Sequence, residues 1–137
     1  MDKQFDSITE YFNKASNIAV YNDGQKSLYF KGDDKFEVIF QELIISTKQS
    51  HDMPAFAVSR HDETIKEKES GLWIELIFEE SQAFNEMSFE HLLFKLEENS
   101  SGLNLIRKYN GKYEGRCFYL NLNENLNKLI NTVLETF

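Results

Sequence analysis

Between positions 72 and 79 the chain alternates without a break, with Leu72, Ile74, Leu76 and Phe78 interleaved with Trp73, Glu75, Ile77 and Glu79. A side-chain period of two marks a β-strand whose two faces differ, whereas a helix would scatter the same residues around its axis. Such a strand needs neighbours for its backbone and a second layer for its apolar face.

The neighbours can be read from the same periodicity. Residues 89–97 place Leu92, Phe94 and Leu96 on one face and His91, Leu93 and Lys95 on the other. Residues 103–109 and 114–122 flank Asn110-Gly111 and read as a hairpin, its second arm turning Phe118, Leu120 and Leu122 inward. Residues 18–21 and 27–30 flank Asn22-Asp23-Gly24, where Asp-Gly signals a second hairpin. Pro54 ends a polar stretch and opens a short strand over residues 55–58, a position a proline tolerates.

The second layer is helical. Phe5, Ile8, Phe12, Ala15 and Ala19 recur at three- and four-residue steps and predict a helix over residues 3–17. Phe36, Ile39, Phe40, Leu43 and Ile44 predict another over 35–47, with Asp34 as N-cap and Glu37 three residues on. Residues 60–70 are highly charged and read as a loop or one exposed helical turn. Asn123 is the expected N-cap of a last helix whose stripe is Leu126, Leu129, Ile130, Val133, Leu134 and Phe137. With 137 residues and no Pro-, Gly- or Ser-rich linker, the expectation is one domain over residues 1–137. Its fold class is α+β: a two-layer sandwich of an antiparallel sheet with helices on one face, in the order α-β-β-α-β-β-β-β-β-α.

Charge and cysteine content narrow the function classes. A net charge of -8 repels phosphate backbones and anionic lipid, so the expected partners include no nucleic acid and no membrane, and a cationic protein is the easier partner. The one cysteine, Cys117, forms no internal disulfide, and the first residues carry no basic run followed by an apolar block. These features, with a Lys-, Asn-, Ile- and Phe-rich composition resembling that of an AT-rich bacterial genome, set the expectation of a cytoplasmic protein.

If the helices cover the face carrying Leu72 and Leu92, the other face carries Trp73, Glu75, Ile77, His91, Cys117 and Tyr119. A solvated face has no use for Trp73, Ile77, Leu93 and Tyr119 together, so something covers it: the segment 48–70, a second copy of the chain, or a ligand or partner protein. The first functional reading is therefore a noncatalytic protein-interaction or binding module, a small acidic protein of immunity or antitoxin character. It meets a protein partner or forms a homodimer through Trp73, Glu75, Ile77, His91 and Tyr119, and it needs no cofactor.

The alternative reading is a small metal-dependent hydrolase or ligand-binding domain using His51, Asp52, His61 and Asp62, because imidazole and carboxylate are ordinary ligands of Zn, Mn or Fe. Cys117 with His91 as base and Glu75 or Glu90 as orienter would satisfy the needs of a thiol nucleophile. Glu75, Glu79 and Glu97 would supply paired carboxylates. No Gly-rich phosphate loop occurs, and the basic, aromatic island of Arg107, Lys108, Tyr109, Lys112, Tyr113 and Arg116 reads as a solvated hairpin tip.

Overall fold

The computed structural model describes residues 5–54 and 56–137. A 3-10 helix, Ile8–Lys14, leads into β1 (Ala15–Asn22), β2 (Gln25–Phe30), α1 (Asp34–Thr47), β3 (His51–Met53), β4 (Val58–Ser59) and α2 (His61–Glu67). After these come β5 (Leu72–Phe84), β6 (Met87–Leu96), β7 (Gly102–Lys108), β8 (Gly115–Arg116), β9 (Phe118–Asn121) and α3 (Asn127–Thr136). The fold is α+β, with a seven-stranded sheet in the order β2-β1-β5-β6-β7-β9-β3, every pairing antiparallel, and a separate two-stranded ribbon, β4-β8.

The alternating strand is the spine of this sheet. β5 pairs β1 on one side and β6 on the other, with Ile74 opposite both Val20 and Phe94. All four apolar side chains on its first face are buried, as are Leu92, Phe94, Leu96, Phe118, Leu120 and Leu122. They pack against Phe36, Ile39 and Leu43 of α1 and against Leu126, Leu129, Ile130 and Val133 at α3. Two-residue turns suit the right-handed twist of hairpin strands when both central residues have positive φ. Asp23-Gly24 (φ 48° and 88°) closes β1-β2 in this way, and Asn85-Glu86 (φ 51° and 64°) closes β5-β6.

Several expected boundaries move, each for a local reason. The helix expected over residues 3–17 is a 3-10 helix that begins after Ser7, whose side chain accepts from the Thr9 amide. It ends where Ala15 enters a strand paired on both edges, a backbone arrangement that outweighs the helical spacing of Ala15 and Ala19. The first two residues of that expected helix lie outside the described residues.

The cap of α1 is Asp33 rather than Asp34, and its carboxylate accepts from the Phe30 amide while Glu37 reaches back to the Gly32 amide. Helix α3 starts at Asn127 and not after Asn123, because Asn125 Oδ1 accepts from the Asn127 amide and Asn123 is engaged with Gln49. Leu134 on its expected stripe is exposed.

The strand expected over residues 55–58 is not formed at Phe56 and Ala57; the extended pieces are β3 before Pro54 and β4 after Ala57, and Ala55 lies outside the described residues. The charged stretch after Arg60 is a helix, α2. Lys68, just beyond its last turn, meets the rings of Tyr21 and Tyr113 on the second face of the sheet, while α1 and α3 cover the first. Among the described residues no helix is long and apolar enough to cross a membrane.

Candidate functional site

The second face has its own small core. Ala19 and Tyr21 of β1, Trp73 of β5 and Leu93 of β6 are buried there with Tyr113, and Ile77 and Ile106 pack partly buried against them. Register explains the grouping, since Tyr21 lies opposite Trp73, Glu75 opposite both Ala19 and Leu93, and Leu93 opposite Ile106.

Tyr113 reaches this core from outside the sheet. The β7-β8 connection turns at Asn110-Gly111 (φ 52° and 80°), which a Tyr109–Lys112 bridge closes, and then folds back over the face. There the Tyr113 amide donates to His61 Nδ1 at 3.0 Å and its ring stacks on the His61 ring, with centroids 5.8 Å apart. Ser59 Oγ donates to the Tyr113 carbonyl at 3.2 Å. The cover is thus β4, α2 and residues 109–117, bound to one another; of the expected solvated tip Tyr109, Lys112 and Arg116 are exposed, while Tyr113 is buried.

One carboxylate clasps this cover to the sheet. Glu75, 2 % exposed, accepts from Tyr21 Oη through Oε1 at 2.8 Å, and through Oε2 from Tyr113 Oη and from His91 Nδ1, the latter at 2.9 Å. A carboxylate only accepts, so His91 carries its hydrogen on Nδ1. Burial by itself would raise the Glu75 carboxyl, but the hydrogen bonds from His91 and Tyr113, the His91 charge and the Tyr21 bond prevail and hold it at about 2.

The two tyrosines move the opposite way: burial, then the Glu75 charge and hydrogen bond, push both phenols well above the ordinary 10. Lys68 completes the clasp from the C-terminal end of α2, donating to Tyr113 Oη at 3.0 Å with its ammonium 4.3 Å from the Tyr21 ring centroid and 4.8 Å from that of Tyr113. Its burial lowers its pKa, against the pull of Glu75. A carboxylate saturated by donors and ionised down to about pH 2 is a poor proton acceptor near neutrality; it holds structure together.

The structure places the residues singled out in the sequence as follows. Trp73 and Glu75 lie beneath the chain's own cover, Trp73 with its indole N–H donated to the Ser70 carbonyl, while Ile77, His91 and Tyr119 stay half-buried. Glu75 does orient His91, yet Cys117 is buried elsewhere, its thiol raised by burial despite Ser59 and Arg107 beside it. Glu79 falls in the irregular stretch of β5 between Ile77 and Gln82 and Glu97 follows the last residue of β6, and neither stands opposite Glu75, whose partners are Ala19 and Leu93.

His51 and Asp52 stand on the edge strand β3, where Asp52 accepts from Ser7 Oγ and the Ile8 amide and so caps the 3-10 helix. His61 serves Tyr113, and Asp62 is exposed in the first turn of α2. No three His, Cys, Asp or Glu side chains gather as metal ligands among the described residues. The four residues therefore do not build the expected ligand set.

Beside the clasp lies what the sequence reading missed. Over the β7-β9 part of the face, Met53, Pro54, Phe56 and Ala57 form with Asn104 and Tyr119 an apolar cavity of about 340 Å³. Phe56 is 94 % exposed and Val58 68 %, and Met53 is exposed as well. The backbone on either side of Phe56 is anchored, because the Ala57 carbonyl accepts from the Cys117 amide at 3.0 Å and β3 and β4 are each paired.

A second cavity, of about 380 Å³, adjoins the first at Asn104 and is walled by Glu67, Ser70, Lys95, Glu97 and Ser100. Between them Tyr119 lies across Gly102, where a Cβ would stand 2.6 Å from its Cζ. Gly102→Ala is therefore expected to displace the Tyr119 ring and to lower stability by about 1–3 kcal/mol, the usual cost of overpacking. Urea unfolding together with the NMR shifts of the Tyr119 ring would measure both. Comparison with protein-family models, curated proteins and solved structures found no significant match to this chain.

Proposed function

We propose that this chain is a noncatalytic protein-interaction module, an acidic partner-binding protein of immunity or antitoxin character, whose docking surface is the overhang of Met53, Phe56 and Val58 above Tyr119. The observation that carries the reading is Phe56, a phenyl ring 94 % exposed on a segment tied by backbone hydrogen bonds to β8 and β9. A large apolar side chain held in water on an anchored backbone gains nothing for the fold, and clusters of such residues mark interaction sites. Aromatic anchors of this kind carry much of the binding energy in protein interfaces.

The center of the second face, first expected as the docking surface, supports this one from below. Trp73 and Glu75 are occupied by the cover, while Tyr119 forms the floor of the apolar cavity and Ile77 and His91 border the clasp. The net charge of -8 favours a basic partner over a second copy of the chain.

Phe56→Ser is expected to leave unfolding within about 0.5 kcal/mol of wild type, as for a surface change, and to weaken partner capture roughly tenfold to hundredfold. The measurement is quantitative mass spectrometry of proteins retained on tethered wild-type, Phe56→Ser and Val38→Ser chains, Val38 being an exposed residue of α1 on the other layer. A basic protein held by wild type and Val38→Ser and lost from Phe56→Ser supports the module. Equal retention by all three chains defeats it, and a concentration-dependent dimer in light scattering, abolished by Phe56→Ser, would replace the foreign partner by a second copy.

A further inference from the structure

The two cavities beside the overhang share Asn104 and differ in character, one walled by Met53, Pro54 and Phe56, the other by Glu67 and Glu97. Among the described residues the single ion pair is His91–Glu75, so none of the described cations pairs with Glu67 or Glu97. Lys95, the one cation lining the second cavity, is laid along Gly71 with its ammonium 5.9 Å from the Trp73 ring centroid. Two carboxylates and one ammonium leave that cavity negative, in a chain whose net charge is -8.

From this juxtaposition we infer that the groove binds a segment of a partner protein bearing a large apolar side chain and, two or three positions away, a lysine or arginine. The inference rests on the interaction-module reading and names the chemistry of its partner. The apolar side chain enters the cavity over Tyr119 and is covered by Phe56; the cation reaches Glu67 and Glu97, with Ser70 and Ser100 as further acceptors. Neighbouring cavities meeting at one residue suit an extended segment, which advances about 3.3 Å per residue, so that side chains two or three positions apart stand roughly 7–10 Å from one another. Acidic walls oppose an acidic segment and make the attraction dependent on salt.

The test is panning of a phage-displayed library of random peptides against the full chain, followed by titration calorimetry of the recovered peptides as synthetic probes. The titrations use wild type, Phe56→Ser, and the pair Glu67→Lys with Glu97→Lys, all checked for native circular dichroism. Recovered peptides are expected to share a large apolar residue with a Lys or Arg two or three positions away, and to bind more weakly as salt rises. Phe56→Ser and the double charge reversal should each weaken them about tenfold or more. Peptides that lack the basic residue, or whose affinity survives the charge reversal while Phe56→Ser abolishes it, overturn the partner chemistry and leave the docking surface standing. Should no peptide separate wild type from Phe56→Ser, the groove is not a docking site and the interaction reading falls with it.

Discussion

Glu75→Gln is expected to destabilise the protein by about 3 kcal/mol near neutral pH, the scale on which removal of one partner of a buried charged network is felt. Three donors, Tyr21 Oη, Tyr113 Oη and His91 Nδ1, converge on the two oxygens of a side chain 2 % exposed. Glutamine offers one accepting oxygen and one donating NH₂. Its best placement sets the oxygen toward Tyr113 and His91 and turns the NH₂ to Tyr21, whose hydroxyl must then rotate to accept. Even so every bond loses its charge, and the rings of Tyr21 and Tyr113 remain buried under Lys68 without the anion that balanced it.

Urea unfolding of the single variants Glu75→Gln and Tyr113→Phe and of the double variant measures this, and the double change is expected to cost less than the two single changes together, because they share one bond. The loss should be local before it is global. Hydrogen exchange of the Tyr113 amide, bonded to His61, is expected to quicken in Glu75→Gln while the amides of β5 and β6 stay protected. A variant as stable as wild type within about 0.5 kcal/mol would show that the clasp contributes nothing.

Much of the first layer was legible because periodicity is a local property. A period of two over residues 72–79 and 92–96 sorts side chains by face whatever the strands pair with, and the residues so assigned to the core are buried. Asp23-Gly24 and Asn110-Gly111 specify their turns through φ, again without reference to the rest of the chain.

The placement of β1 beside β5 and of β3 at the far edge depends on long-range pairing that no local pattern encodes. The same limit applies to the site. Glu75 and His91 were legible as residues of one face, and the need for a cover followed from the apolar side chains around them. Tyr113, Lys68 and Tyr21 were not, because a tyrosine between Lys112 and Glu114 and a lysine in a charged run carry the marks of solvent-facing residues. What buries them is a carboxylate more than thirty positions away from Tyr113. Phe56 was assigned to a strand on its residue type, and its exposure goes with a backbone that is not in strand geometry at Phe56 and Ala57.

The clasp also makes stability depend on pH in a way that isolates Glu75. Its carboxyl is lowered from the usual 4.5 to about 2 on folding, so its contribution is complete above about 4.5 and is lost as the pH falls from there toward 2. The difference amounts to roughly 3 kcal/mol for a side chain this deeply buried. Other carboxyls titrate over the same range, but they do so in wild type and in Glu75→Gln alike.

The informative quantity is therefore the gap between the two unfolding free energies, measured with urea at a series of pH values. It is expected to be widest near neutrality and to close as the pH falls toward 2, because a protonated Glu75 and a glutamine present nearly the same neutral group to their donors. Tyr21 and Tyr113, whose phenols are raised, act with the opposite sign: their contribution is intact below 10 and is lost as the pH climbs beyond it. The Glu75 charge contributes to that rise, so the alkaline loss should be shallower in Glu75→Gln. A gap that stays constant from neutral pH to pH 2 would mean that the carboxylate is not what holds the cover, and would assign that role to the packing of Tyr113 against His61 and Lys68.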